Sequence, residues 1–499
     1  MRWSDRFDSF GFRLFAAALL GAISVSAFAP LGWFPIIWLT LAGFFALLDR
    51  TASESTKACD GALIGGAFGS GFFLTGVSWI YVSLSTFGGM PMLTAGLATV
   101  IFCLGMAFYP ALAGALFTRF APSADWQRGL FFAALWTLSE WLRGWFLTGF
   151  PWLVTGYSQS SPSPLVGFAP LVGVYGISLL TVILAVCIYG VFRRDSARTG
   201  FLVGVILVLC GWLLHGQTWT TPRGEPIRVA LMQGNISQDV KWRPEFFKDS
   251  LIAYYELMRD NPAQLTILPE AALPVLFHEI PRDYLGLLQE FAARENGDLL
   301  FGAVIGKDSE YTNSAINLGT SGMQRYDKSH LVPFGEFTPP GLSWFMAMVY
   351  MPMSDISPGV AVQAPMQIGE VKVAVNICYE DTFGEEIIQA LPEADLLVNI
   401  SNVAWFGDSL APAQHLQIAR MRALETGRMM LRATNTGMTA IIDADSSVRG
   451  VLPSYTRAAL TGEVHAYTGS TPYVRWGNWP TIIICLILLS FARRHKALS

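Results

Sequence analysis

The sequence predicts two structural classes in one chain: a helical membrane domain of about eight spans and an α/β domain outside the cytoplasm. Of the 499 residues, 52% are hydrophobic and only 14% are charged, whereas about 25% of the residues of an ordinary soluble protein are charged. Four long stretches contain no Asp, Glu, Lys or Arg: 14–48, 61–118, 144–192 and 199–222. After residue 217 the charges return, and apolar strands alternate with helical segments, as is typical of an α/β fold.

The apolar stretches divide into about eight segments of the length that a bilayer requires, which is about 20 mostly apolar residues. Their centres lie near residues 20, 41, 72, 105, 135, 178, 207 and 485. The positive-inside rule assigns the loops that are rich in Lys and Arg to the cytoplasm. Every second connection between spans is rich in Lys and Arg, as are the two ends of the chain, so all of them lie on one face of the membrane. Their basic residues include Arg2, Arg6, Arg50, Lys57, Arg119, Arg128, Arg193, Arg198, Arg493 and Lys496. We therefore expect both termini in the cytoplasm.

This arrangement predicts seven spans over 1–216, an α/β domain outside the cytoplasm over 217–475, and an eighth span with a cytoplasmic tail over 476–499. Period-2 or fully apolar patterns predict five strands, at 227–232, 265–268, 299–305, 371–377 and 396–400. Helix-period stretches lie between them, at 243–259, 282–296 and 413–425. The alternation indicates a layered sheet core covered by helices.

Composition and motifs argue against several classes of function. The net charge is −4, without a Lys/Arg-rich stripe, so we expect no nucleic-acid partner. The six cysteines and six histidines form no CxxC clip and no HExxH motif, so we expect no metal site and no disulfide framework. The sequence contains no nucleotide-binding loop, and we expect no cofactor.

Cys378 is the one cysteine of the α/β domain, and it ends a buried-looking strand that is followed by Tyr379, Glu380 and Asp381. A cysteine at a strand-to-turn junction is a candidate nucleophile. The alternative is a thiol that is only packed, because free cysteine is among the most buried residue types.

Two further motifs carry groups that a thiol nucleophile can use. Glu270 ends an apolar strand in LPEAALP, and such a carboxylate can accept a thiol proton when its environment raises its pKa toward neutrality. Lys328 follows a strand in YDKSHLVPFGEF, and a buried ammonium can stabilise the oxyanion that forms when a thiolate attacks a carbonyl. Either residue could instead be a solvated surface charge.

Glu270, Lys328 and Cys378 in NICYED together resemble the Glu-Lys-Cys triad of the nitrilase, or carbon–nitrogen hydrolase, superfamily. They occur in that order, about 58 and 50 residues apart. The resemblance implies an αββα sandwich for the α/β domain. The segment VALMQGNISQDVKW, the loop FPWLVTGYSQ and the span layout extend the similarity over essentially the whole chain, to the bacterial apolipoprotein N-acyltransferase family.

This resemblance implies an enzyme of the bacterial inner membrane with its catalytic domain in the periplasm. The expected reaction moves an acyl chain from a phospholipid, through a thioester on Cys378, to the α-amino group of the S-diacylglyceryl-cysteine at an apolipoprotein N-terminus. In this reaction Glu270 is the general base, and Lys328 stabilises the oxyanion with the backbone N–H after Cys378. The resemblance also implies supporting roles for Glu336, which orients Lys328, and for Tyr379 and Glu380. We expect a monomer.

Six aromatic or apolar residues are candidates for lining the lipid entrance: Trp152, Tyr157, Trp242, Trp344, Phe345 and Met348. The last three lie in a charge-free, Met-rich segment after the PFGEF turn. We expect this segment to act as a lid beside Cys378, and packing inside the α/β core is the alternative. For the loop that carries Trp152 and Tyr157, the alternative is an interfacial aromatic belt.

Two other functions remain open from the sequence. A membrane-tethered amidase or nitrilase would use the same triad with water as the acceptor. A transporter with an inert extracytoplasmic module is a second alternative, although the spans lack the array of buried charges that a substrate path requires.

Overall fold

A computed structural model describes residues 9–160, 162–193, 196–307, 310–339, 341 and 355–494. The chain divides into two compact units. A helical unit contains the described chain before Val82, Leu93–Gln217 and the described chain after Arg475, and an α/β unit combines Val82–Met92 with Thr218–Arg475. Within the α/β unit, the Ser83 hydroxyl donates a hydrogen bond to the Trp405 carbonyl at 2.8 Å.

Eight helices lie at the eight predicted centres. Seven precede Thr218: α1 (Phe10–Ser24), α2 (Pro35–Glu54), α3 (Ala58–Gly76), α4 (Met92–Phe120), α5 (Asp125–Arg143), α6 (Ala169–Val191) and α7 (Ala197–His215). The eighth is the C-terminal helix Trp479–Arg494.

Length and composition allow five of the described helices to cross a membrane, or six if α3 and the bent continuation Ile80–Phe87 form one span. The other two candidates fall short for different reasons. α5 includes Asp125, Arg128, Glu140 and Arg143, and the apolar part of the C-terminal helix is short. The total of eight crossings stays a prediction.

Small residues allow the first helices to pack closely. A Cβ atom added to Gly71 of α3 would lie 1.9 Å from the Ala18 carbonyl oxygen of α1, and one added to Gly61 would lie 2.2 Å from the Gly114 carbonyl oxygen of α4. Such close backbone approach is typical of helix pairs in membranes, where packing and not the hydrophobic effect holds helices together.

The α/β unit contains two six-stranded sheets. The strands of the first are β1 (Thr220–Gln233), β2 (Leu265–Ile267), β3 (Asp298–Lys307), β4 (Glu310–Gly319), β5 (Gln324–Asp327) and β12 (Ala458–Gly469), in the order β12-β1-β2-β3-β4-β5. The strands of the second are β6 (Met366–Ile368), β7 (Val371–Ile377), β8 (Leu396–Ser401), β9 (Met430–Thr434), β10 (Ala440–Ile442) and β11 (Val448–Val451), in the order β11-β10-β9-β8-β7-β6. The central strands β1, β2 and β3 are parallel to one another, as are β7, β8 and β9.

The α/β unit has four layers of secondary structure, with a hydrophobic cluster at each of the three interfaces between them. Buried side chains of both sheets, such as Leu231 and Val375, form one cluster between the sheets. The outer face of the first sheet packs on α8 (Phe247–Asp260) and α9 (Arg282–Arg294), and that of the second packs on α10 (Ala411–Thr426). The predicted αββα sandwich is confirmed.

All five predicted strands and all three predicted helices of this unit are present; β7 has the predicted ends, and the ends of the others are shifted. Seven further strands have weak sequence signals. Three-residue strands such as β6 are too short to show a period, and the edge strand β5 is polar throughout. Cross-strand pairing, which depends on distant residues, decides these strands.

Candidate active site

Two parallel strands, one in each sheet, deliver the acid and the thiol. Glu270 lies just beyond the carboxyl end of β2, and Cys378 directly follows β7. Lys328 follows the edge strand β5, and its backbone N–H is held by the Asn313 carbonyl of β4 at 2.8 Å. Both Glu270 and Lys328 are buried, so neither is the solvated surface charge that the sequence left open.

The Glu270 carboxylate is held at both oxygens. Its Oε1 accepts a hydrogen bond from Asn313 Nδ2 at 2.7 Å and lies 3.6 Å from Lys328 Nζ. Its Oε2 accepts from the Asn402 backbone N–H at 2.8 Å. Burial acts to raise the pKa of Glu270, but Lys328, these two donors and Lys241 together hold it below its ordinary value. The raised pKa that the sequence analysis named as a condition for a base is therefore not found in the resting site, because the buried site contains its own positive charge.

Lys328 lies between two carboxylates. Its Nζ is 2.8 Å from Glu336 Oε1 as well as 3.6 Å from Glu270 Oε1. Burial acts to lower the pKa of Lys328, but Glu336 and Glu270 outweigh it and raise that pKa. Glu336 is fixed in turn by Asn313 Nδ2 at 2.9 Å and by the Val332 N–H at 2.9 Å. The geometry therefore supports the expected orienting role of Glu336, and Lys328 stays a cation at any pH of interest.

Cys378 occupies a strained turn. Its φ of +56° lies in the left-handed region, which costs free energy for a residue other than glycine and is often found at functional sites. Burial raises the pKa of the Cys378 thiol to about 12, with Glu270 acting in the same direction and Lys328 against it. The thiol is therefore protonated in the resting protein.

Glu380 connects the turn at Cys378 to the loop that follows Lys328. Its Oε1 accepts from the Ser329 and His330 backbone N–H groups at 2.7 and 3.1 Å, and its Oε2 accepts from the Ile377 N–H at 2.7 Å. Tyr379 packs edge-on against the Phe383 ring, with 5.1 Å between centroids. These contacts are consistent with structural support of Cys378.

A second set of buried charges contacts the backbone of the Cys378 turn, and the sequence analysis missed it. Asp381 accepts hydrogen bonds from His415 Nε2 at 2.7 Å and from Arg432 Nη1 at 3.0 Å. Arg432 also donates to Asn399 Oδ1 at 2.7 Å, and Asn399 Nδ2 donates to the Cys378 carbonyl at 3.1 Å. The chain of contacts fixes the backbone of the strained turn.

Asn313 and Lys241 are two further site residues that the sequence analysis missed. The Asn313 amide bridges the two carboxylates, and Lys241 Nζ donates to the Glu270 backbone carbonyl at 3.3 Å. A polar residue inside an otherwise buried strand was the available signal for Asn313, since β4 is buried from that residue through Leu318. For Lys241, the signal was a lysine inside the QGNISQDVKW motif.

The candidate access residues fall in different places. Trp242 packs beside Val304 and Leu331 in the α/β unit. Trp152 and Tyr157 are buried inside the helical unit, which favours packing over a lipid-facing belt. Their role in lipid access stays a prediction. The predicted lid, with Trp344, Phe345 and Met348, lies outside the described residues.

Within the described ranges, no group of three or more His, Cys, Asp or Glu side chains is placed to hold a metal ion. The chemical groups of the site are a thiol, two carboxylates and an ammonium. Together they can form and break a thioester by nucleophilic attack, proton transfer and oxyanion stabilisation.

Both units are similar to known protein families. Residues 20–187 match the family model of the apolipoprotein N-acyltransferase N-terminal domain, and residues 228–473 match that of carbon-nitrogen hydrolases. The chain is 47% identical to an apolipoprotein N-acyltransferase of Nitrosomonas europaea, over 98% of this chain and 99% of the relative. It is 43% identical to one of Ralstonia nicotianae, over 96% and 93% of the two chains.

Proposed function

Because the chain belongs to the apolipoprotein N-acyltransferase family, and is thus a membrane-bound acyltransferase of the carbon-nitrogen hydrolase superfamily, we propose that Cys378 is its acyl carrier. The donor is a phospholipid, and the acceptor is the α-amino group of the S-diacylglyceryl-cysteine of an apolipoprotein. The observation that carries this proposal is that Glu270, Lys328 and Glu336 form one buried ion-paired cluster, whose charges all act on the Cys378 thiol.

In the first half-reaction, Glu270 takes the proton from the Cys378 sulfur as the sulfur attacks the ester carbonyl carbon of the phospholipid. Negative charge develops on the carbonyl oxygen, where Lys328 and the backbone N–H after Cys378 stabilise it. The bond between the carbonyl carbon and the glycerol oxygen then breaks. Lysophospholipid leaves with the proton from Glu270, and the acyl chain remains on Cys378 as a thioester.

The α-amino nitrogen of the acceptor attacks the thioester in the second half-reaction, and Glu270 accepts a proton from that nitrogen. The carbon–sulfur bond breaks, an amide forms, and the proton returns to the Cys378 sulfur. The ester and thioester supply the driving force, so the cycle needs no nucleotide.

The low pKa of Glu270 and the high pKa of Cys378 make proton transfer uphill in the resting site. An isolated thiolate therefore does not accumulate. Proton transfer is coupled to attack on a carbonyl that Lys328 already polarises, which limits reaction to a correctly placed ester or thioester.

Mass spectrometry of the purified enzyme in liposomes tests the proposal. A phospholipid with an alkyne-tagged acyl chain should label the Cys378 peptide with a hydroxylamine-sensitive bond. A diacylglyceryl-cysteine peptide should then discharge the label and gain one acyl amide. Cys378→Ala should prevent both events, whereas the control Cys210→Ala should change neither. Peptide acylation by Cys378→Ala would refute the thioester, and release of free fatty acid in place of the amide would identify a hydrolase.

For its location, we propose the bacterial inner membrane, with the α/β domain in the periplasm, both termini in the cytoplasm and a monomeric enzyme. The uneven distribution of Lys and Arg supports this orientation. A reporter phosphatase that is active only in the periplasm should be active when fused after residue 217 and inactive when fused at the C-terminus. The reverse pattern would overturn the orientation.

A further inference from the structure

Lys241 is a buried cation that the reaction as written above does not use. It ends the short helix Gln238–Lys241, and its side chain is 0% exposed. Among the described residues, its Nζ has one hydrogen-bond acceptor, the Glu270 carbonyl oxygen at 3.3 Å. An ammonium in such a place is costly unless nearby negative charge compensates it.

The charges around Glu270 show what Lys241 compensates. Glu270 and Glu336 share one ammonium, that of Lys328. Arg432 also acts on Glu270 and Cys378, but it is paired with Asp381. Glu380 adds a third buried carboxylate near Lys328, fixed by backbone N–H groups. The site thus has a surplus of negative charge, and Lys241 is the remaining cation that acts on Glu270 within the described structure.

The segment that carries Lys241 reaches Glu270 by a second route. Gln238 Oε1 accepts a hydrogen bond from Asn402 Nδ2 at 2.8 Å, and the Asn402 backbone N–H donates to Glu270 Oε2 at 2.8 Å. Asn435 fixes the start of the segment, since its Oδ1 accepts from the Ile236 N–H at 3.0 Å. These hydrogen bonds fix the segment that carries Lys241 beside Glu270.

We propose that Lys241 is a positioning residue of the transfer reaction, whose ammonium keeps the Glu270 carboxylate ionised so that it can accept the Cys378 proton. This inference rests on the proposed function, because it assigns Lys241 a task in that cycle. Burial lowers the pKa of Lys241 to about 8, against the pull of Glu270, so the charged form still predominates at pH 7.

The sign of the expected pH effect follows from the charges. Without the Lys241 charge, burial acts on Glu270 with less opposition, and the pKa of Glu270 rises. Glu270 then takes up a proton at a higher pH and loses its function as a base there. Acylation should slow at acidic pH and recover at alkaline pH, where Glu270 is ionised with or without Lys241.

The experiment measures single-turnover labelling of Cys378 by the tagged phospholipid between about pH 3 and pH 9, so that the acidic limb of the wild type lies inside the range, with the full-length enzyme in liposomes. Lys241→Gln keeps a donor for the Glu270 carbonyl but removes the charge. We expect its acidic limb to move up by at least about one pH unit, a tenfold loss on that limb, with an alkaline rate within about threefold of the wild type. Lys241→Arg should retain the wild-type limb.

An equal loss at every pH, or the same profile for Lys241→Arg and Lys241→Gln, would overturn the proposal and leave Lys241 a packing residue. Lys241→Met replaces the Gln variant if the latter does not fold. If both neutral variants fail to fold while Lys241→Arg folds, the charge serves stability alone and the proposal is equally rejected. Failure of the proposed function is distinct, because the wild type itself would then form no thioester on Cys378 from phospholipid.

Discussion

Two buried ionic clusters of the α/β unit act on Cys378 in different ways. We expect one to take part in the reaction and the other to support the fold. The first, the reactive cluster, consists of Glu270, Asn313, Lys328 and Glu336, and its charges act on the pKa of the Cys378 thiol. The support cluster holds the Cys378 backbone and consists of Asp381, Asn399, His415 and Arg432.

The clusters differ in charge balance. In the reactive cluster two carboxylates share one ammonium, so one negative charge is not balanced within the cluster and a carboxylate can accept a proton. In the support cluster Asp381 pairs with Arg432, while burial and Arg432 lower the pKa of His415 and keep it neutral. Burying ions is costly in both places. The comparison teaches that the unbalanced cluster should control rate, and the balanced one should control stability.

The largest effect is expected for Glu270→Gln, which keeps the shape of the side chain and removes the base. Acylation of Cys378 should slow by about 10²–10⁴-fold, the usual contribution of a general base. Single-turnover labelling by tagged phospholipid measures this rate. A loss of less than tenfold would mean that another group accepts the thiol proton.

Lys328→Met should slow acylation by about 10²–10³-fold, as expected for removal of an oxyanion donor. It should also destabilise the α/β unit by about 3–5 kcal/mol, because it leaves buried carboxylates without their cation. The double variant Lys328→Met/Glu336→Gln should regain much of the thermal stability but none of the rate. Recovery of both the thermal stability and the acylation rate would mean that Lys328 supports the fold and takes no part in the reaction.

Glu336→Gln tests the reactive cluster at its edge. Since Glu336 orients Lys328 and does not touch the thiol proton, we expect about a tenfold fall in kcat, less than the ~10²-fold that a 1 Å displacement of a catalytic group costs. KM for the phospholipid should stay constant. Steady-state kinetics at several phospholipid concentrations separate the two constants, and a change confined to KM would contradict the orienting role.

Arg432→Met should have the smallest effect on rate and a large effect on stability. We expect kcat at low temperature within about threefold of the wild type, while unfolding becomes easier by about 3–5 kcal/mol because Asp381 loses its partner. Thermal unfolding followed by fluorescence measures the latter. Arg432→Met/Asp381→Asn should restore part of the stability. A hundredfold fall in kcat without a lower unfolding temperature would erase the distinction between the clusters.

The two-part architecture and the candidate reacting groups could be predicted from the sequence alone. Long charge-free stretches and strand-helix alternation are local properties, so they could be read along the chain. The Glu270, Lys328 and Cys378 motifs are local as well, because each follows the end of a strand. Their placement in one domain of an αββα fold could therefore be predicted from the linear pattern and its family resemblance.

How these groups change one another's pKa became apparent only from the folded structure. Asn313 and Lys241 act on Glu270 from 43 and 29 residues away along the chain, and the Arg432 side chain reaches Asp381 across 51. The direction of the Glu270 pKa could not be predicted from the sequence for the same reason. Burial and charge coupling depend on distances in space, and a linear pattern contains no record of which distant residues share a dry interior.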